Sequence, residues 1–260
     1  MRQIQNIVLA CALASVPLFS AQAAEPSTQD LVAKNLEARG GAEALKALRT
    51  LQFKGTIRFP GDFELDYVET RARGSASGAG AVRYDSTLQG LTLVQAYDGK
   101  AGWTINPFGG RRDAETMSAD DARSLADSGL VDGPLLSAAA NGSSVEYLGR
   151  EDFDGTLAYK LRVSEKDGDS FVYLLDPGTY LEIAMTETRK VRGAEQVFEY
   201  ELGDYEKVGG VYFPMSVASG PKGSSQRQQV SIETASANTE VKPEYFAQPT
   251  SPAAKPTASK

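Results

Sequence analysis

Asp62, Glu64 and Asp66 alternate along one extended stretch, so their carboxylates share a face at a spacing that could hold calcium or divide between general acid and general base. The interleaved Phe63, Leu65 and Tyr67 give the stretch a plainer reading, a strand whose acidic side is its solvated outer face. Ser118 to Asp121 and Glu151-Asp152 read the same way, as an ordinary helix start and strand end. Gly109-Gly110-Arg111-Arg112, after Asn106-Pro107-Phe108, sets two guanidiniums beside a turn. They could grip a phosphate or another anionic head group, and a solvated loop accounts for them equally. What is missing decides more. The chain has no histidine and one cysteine, Cys11. Ser-His-Asp and Cys-His catalysis and a histidine-rich zinc site are therefore excluded. A carboxylate enzyme is the catalytic class left, and no substrate is apparent for it, so no catalytic residue, metal or cofactor is assigned.

Arg2, an apolar run from Ile7 to Leu18 and the small residues ending Ala21-Gln22-Ala23 have the anatomy of a secretory signal cut after Ala23. Residues 1–23 are expected to be removed, leaving 237 of the 260 residues. Val8-Leu9-Ala10-Cys11 offers an alternative, a lipoprotein box that would anchor the chain through Cys11, but only a short apolar stretch precedes it. No other run reaches the roughly 20 apolar residues of a membrane helix. A net charge of −7 argues against a nucleic-acid partner, which needs clustered Lys and Arg.

These residues need a frame. Ser27 and Asp30 form a capping-box-like start for a helix that Gly40-Gly41 ends, and a short second helix follows over Ala42 to Leu48. From Leu51 the apolar period becomes two: Leu51, Phe53, Ile57, Phe59, then Phe63, Leu65, Tyr67 after the Pro60-Gly61-Asp62 turn. The alternation continues through Thr234, punctuated by Asp98-Gly99, Asp154-Gly155, Asp167-Gly168, Asp176-Pro177-Gly178 and Gly209-Gly210. One helical insertion, capped by Ser118, interrupts it. Gly129 and Gly133-Pro134 break that insertion, and Leu130, Val131, Leu135 and Leu136 require it to pack on the sheet. Eleven or twelve strands predict a mainly β domain over 24–249, a strongly curved antiparallel sheet whose concave face is covered by helices or left to a ligand. The Pro-, Ala- and Ser-rich end, 250–260, reads as a disordered tail.

In order along the chain, Leu36 to Leu45, Tyr97 to Phe108, Met117 to Asp120, Tyr173 to Asp176 with Tyr180 to Ile183, and Gly203 to Tyr205 with Val208 to Pro214 resemble the outer-membrane lipoprotein-sorting proteins, relatives of the periplasmic carriers LolA and LolB. The resemblance implies an unclosed β-barrel (half-barrel) with helices in its opening, a cavity for acyl chains, a periplasmic location, transport partners in the inner or outer membrane, and no catalysis. It also implies a barrel arginine, for which the sequence does not choose among Arg58, Arg71 and Arg83. The expected cavity residues are Phe53, Ile57, Phe59, Leu65, Tyr67, Trp103, Ile105, Leu135, Leu174, Leu181, Ile183 and Met185, with Gly129 and Gly133-Pro134 as lid hinges. The leading function is a periplasmic lipid or lipoprotein carrier working toward the outer membrane. The alternative is an envelope sensor or interaction module of the same fold. The oligomeric state is not legible in the sequence.

Overall fold

The computed structural model describes residues 25–61, 63–74 and 80–250. The expected signal peptide 1–23 with Cys11, residue Asp62, and the tail beyond Thr250 lie outside them. Thirteen strands occur among the described residues: β1 Thr50–Phe59, β2 Phe63–Ala72, β3 Ala81–Leu88, β4 Leu91–Tyr97, β5 Gly102–Asn106, β6 Arg111–Thr116, β7 Ser144–Phe153, β8 Thr156–Ser164, β9 Ser170–Leu175, β10 Glu182–Val191, β11 Ala194–Val208, β12 Val211–Pro221 and β13 Gln228–Ala237. They form one sheet in the order β6-β5-β4-β3-β2-β1-β13-β12-β11-β10-β9-β8-β7. Each neighbouring pair is antiparallel. The sheet is open, because β6 and β7 pair on one side only.

Helices α1 Thr28–Arg39 and α2 Ala42–Ala47 precede β1, and α3 Ala119–Ser128 and α4 Gly133–Asn141 carry the chain from edge β6 to edge β7. The Ser27-Asp30 capping box starts α1 as its sequence predicts. Arg39 fixes its far end to the sheet through the Tyr212 carbonyl at 2.8 Å and the Glu182 carboxylate at 3.2 Å.

Two local expectations are corrected. Arg111-Arg112 belong to strand β6 rather than to a loop. The segment Arg-Arg-Asp-Ala-Glu-Thr carries no apolar period because an edge strand here is exposed on nearly every residue. Gly133-Pro134 begins α4 instead of interrupting a helix, since a proline in the first turn gives up an N–H that has no partner there. Gly129 answers a packing need: a Cβ there would lie 2.9 Å from the Cβ of Val82.

The register separates two faces. Phe53, Ile57, Leu65, Tyr67, Val82 and Tyr84 share the inner face, toward the helices, with Tyr173, Met185 and Phe213. Under the helices this face is closed core. Leu31 of α1 and Leu135 of α4 pack on Leu161, Phe171 and Tyr173, while Leu45 and Leu48 pack on Phe53, Val211 and Phe213.

Candidate functional site

Seven of the twelve expected cavity residues face inward, and they do not form one lining. Phe53 and Leu135 are buried in the two closed clusters, and Met185 packs partly buried against the second of these. Ile57, Leu65 and Tyr67 form a separate cluster with the partly buried Phe59, Tyr84, Leu88 and Val230. Four face the other way. Trp103 and Ile105 pair with Ala96 and Val94 on the outer face, and Leu174 and Ile183 cluster there with Ala158 and Ala184. Leu181 sits in the turn before β10, where its carbonyl accepts the Asp176 N–H at 2.9 Å. Alternation shows that a strand has two faces and cannot say which is inner. What seals Trp103 is a C-terminal strap: its indole N–H donates to the Phe246 carbonyl at 2.7 Å, and Arg83 lies over both the Trp103 and Tyr245 rings.

The Ile57-Leu65-Tyr67 cluster opens at its upper end. Phe63, paired with Phe59, is 47% exposed, and Leu91, paired with Leu88, is 40% exposed. These side chains and the partly buried Leu88 present a shallow apolar slot at the rim of the inner face, above the buried Ile57, Leu65 and Tyr67. Its floor is Tyr67 and Tyr84, whose ring centroids lie 6.1 Å apart.

Beneath the floor the inner face turns charged. Glu69-Thr70-Arg71 on β2 and Glu187-Thr188-Arg189 on β10 repeat one three-residue pattern on opposite walls. In each, the arginine pairs with the glutamate of its own strand. A tyrosine hydroxyl donates to each glutamate, Tyr67 to Glu69 at 2.8 Å and Tyr200 to Glu187 at 2.7 Å. Both arginines then reach the end of α3 and the residues after it, Arg71 donating to the Leu130 carbonyl at 3.4 Å and Arg189 pairing with Asp127 at 2.8 Å; Arg189 also pairs with Asp169 of the β8–β9 turn at 2.7 Å. Arg71 is therefore the inward arginine, whereas Arg58 and Arg83 lie outward beside Glu64 and Asp85. The motif is visible in the sequence as a repeat of Glu-Thr-Arg, which alternation analysis passes over because its residues are polar on a buried face. Burial pushes the Tyr84 and Tyr200 hydroxyls up, and the neighbouring glutamates add to it.

Carboxylates crowd the β8–β9 turn beside this belt. Burial first, then Asp127 and Asp167, push Glu165 from 4.5 up to about 7, and burial raises Asp127 as well. Between those values the folded chain holds a proton that the unfolded chain has lost, so stability falls as pH rises from 4.5 to about 7. Glu165→Gln is expected to melt as the parent does at pH 5 and about 2 °C higher at pH 8, a modest figure because the group is half exposed. Equal melting shifts at both pH values would refute it.

The carboxylates Glu64 and Asp66 are exposed and outward, as the plainer reading has it. Among the described residues, no group of three or more His, Cys, Asp or Glu is arranged to hold a metal. No helix among them is long and apolar enough to cross a membrane.

No family model and no curated relative matches this chain. Among solved structures it is similar to a LolA superfamily protein from Nitrosomonas europaea, at 12% identity and TM-score 0.56 over 86% of this chain and 98% of that one. It is likewise similar to an outer membrane lipoprotein-sorting protein domain from Vibrio parahaemolyticus, at 11% identity and TM-score 0.57 over 85% and 95%. A DUF1329 family protein from Desulfovibrio piger aligns at 10% identity and TM-score 0.60 over 86% and 98%. At such identities the likeness is one of fold: this is a LolA-type open half-barrel, the architecture that the sequence resemblance implies.

Proposed function

We propose that this protein is a periplasmic carrier that binds an acyl chain of lipid or lipoprotein cargo in the Phe59-Phe63-Leu65-Leu88-Leu91 slot and moves it toward the outer membrane. The observation that carries the reading is the apolar slot left open on the inner face of a LolA-type half-barrel whose remaining inner surface is closed or charged. Burial of a chain contributes about 0.8 kcal/mol per methylene, so such a slot holds cargo without polar contacts. Export by a signal peptide cleaved after Ala23, a single domain over 24–249 and a flexible tail belong to the same reading, as does a binding role without catalysis. Of the expected cavity residues, Ile57, Phe59, Leu65 and Tyr67 are retained as slot residues.

Native mass spectrometry with lipid extraction of the protein purified from a periplasmic fraction tests this. Bound acyl species are expected in the parent and lost in Phe63→Glu or Leu91→Glu, whose exposed positions leave the core untouched. An apo mass from a well-folded parent would sink the carrier reading. Affinity for a series of acyl probes is expected to rise about fourfold per methylene buried; affinity independent of chain length would count against an apolar contact at Phe63 and Leu91.

The charged belt favours one second reading, an interaction module that docks a membrane partner, because a barrel interior occupied by Glu69, Arg71, Glu187 and Arg189 leaves less apolar volume for cargo. Partner capture by an apo, lipid-free protein would support it.

A further inference from the structure

Beside the slot, on the same inner face, a cleft of about 780 Å³ opens between α3 and strands β4, β5 and β6. The two adjoin along β4. Leu91 at the slot rim and Leu93 in the cleft wall are two residues apart on β4 and face the same way, about 7 Å apart by strand rise. Unlike the slot, the cleft mixes apolar walls, Leu93, Met117 and Leu125, with both signs of charge, Arg111 and Arg192 against Glu115 and Asp121, and with the amides of Gln95 and Asn106. Arg192 comes from the β10–β11 turn and forms a loose, exposed ion pair with Asp121 at 3.8 Å, without a hydrogen bond, so a stronger acceptor competes for its donors at little cost. Arg111 holds Glu115 at 2.6 Å along the exposed edge. The volume falls within the range of small-molecule sites.

We propose that this cleft is a head-group subsite and that the ligand is a single-chain amphiphile with a zwitterionic, phosphate-containing head, of lysophospholipid type. The proposal rests on the acyl-chain reading of the slot. Balanced charge selects the zwitterion: the guanidiniums meet the phosphate while Glu115 and Asp121 meet the ammonium, and a lone anion would face two uncompensated carboxylates.

The test is calorimetric binding, below micelle concentrations, of three probes sharing a dodecyl chain length: lysophosphatidylethanolamine, dodecanoate and dodecanol. The parent is expected to bind the zwitterion about tenfold more tightly than either of the others. In Arg111→Gln/Arg192→Gln, both exposed and therefore tolerated by the fold, that advantage disappears while dodecanol binding is unchanged. Equal affinity for all three probes, or an advantage that survives in the double variant, overturns the subsite. Binding of none of the three overturns the slot reading itself, and loss of dodecanol binding in Phe63→Glu alone confirms the slot independently of the head.

Discussion

Asp169→Ala is expected to cost about 3 kcal/mol, lowering the melting temperature by about 10 °C. Asp169 is 1% exposed. It accepts from Arg189 at 2.7 Å, from Arg123 at 3.1 Å and from the Lys190 N–H at 3.4 Å. Removing it leaves Arg189 paired with Glu187 and Asp127 but takes the acceptor away from the buried Arg189, the partly buried Arg123 and the Lys190 N–H, and unsatisfied buried donors are what the variant loses stability to. Asp169→Asn, which keeps an acceptor in place, should lose less. Chemical denaturation of the two variants checks the order; a loss below about 1 kcal/mol for the alanine variant would mean that the belt is hydrated and contributes little. Arg189→Met should be at least as damaging, because it leaves the buried Glu187 and the partly buried Asp127 without their cation and Asp169 with Arg123 alone.

Trp103→Ala should cost about 3–5 kcal/mol and leave acyl-chain binding unchanged. The indole is 1% exposed and is held by packing against Val94 and Ala96 and by its hydrogen bond to the Phe246 carbonyl. Its loss empties the space under the strap and removes the surface on which Arg83 lies. Hydrogen exchange at residues 242–248 should accelerate, and Phe246→Ala should reproduce part of the effect. Since Trp103 is the one tryptophan of the chain, its emission reports the strap directly, moving to the red when Phe246 is truncated. A change in lipid content on Trp103→Ala, with stability intact, would return this residue to the ligand site that the sequence reading gave it.

The slot and the belt explain each other. Tyr67 and Tyr84 present their rings upward to the apolar cluster, and Tyr67 presents its hydroxyl downward to Glu69. One layer of tyrosines therefore satisfies a buried carboxylate and ends the apolar surface. Arg71 and Arg189, each braced by a glutamate two residues earlier, then hold the α3 end from both walls. The helices that cover the opening are thus tied down by charge and not by apolar contact alone, and the exposed apolar side chains Phe63 and Leu91 stand at the rim of the inner face.

Much of this was written in the amino-acid order. Period-two alternation and the Asp-Gly and Gly-Gly turns determine an antiparallel meander because each tight turn joins neighbouring strands. Ser27 with Asp30, and Ser118, fix two helix starts through their own hydroxyls. The lack of histidine excludes whole classes of chemistry without reference to any fold. The tertiary structure decided what local pattern cannot carry. Whether Trp103 faces a ligand or a strap depends on residues more than a hundred positions away, and Leu174 is as apolar as Leu175 yet faces the opposite side. β6 exists only because β5 offers it an edge. Glu-Thr-Arg on β2 and Glu-Thr-Arg on β10 look like solvated charge until the sheet curves and brings both walls to the same helix end, since burial and pairing are properties of the closed shape and not of the strand.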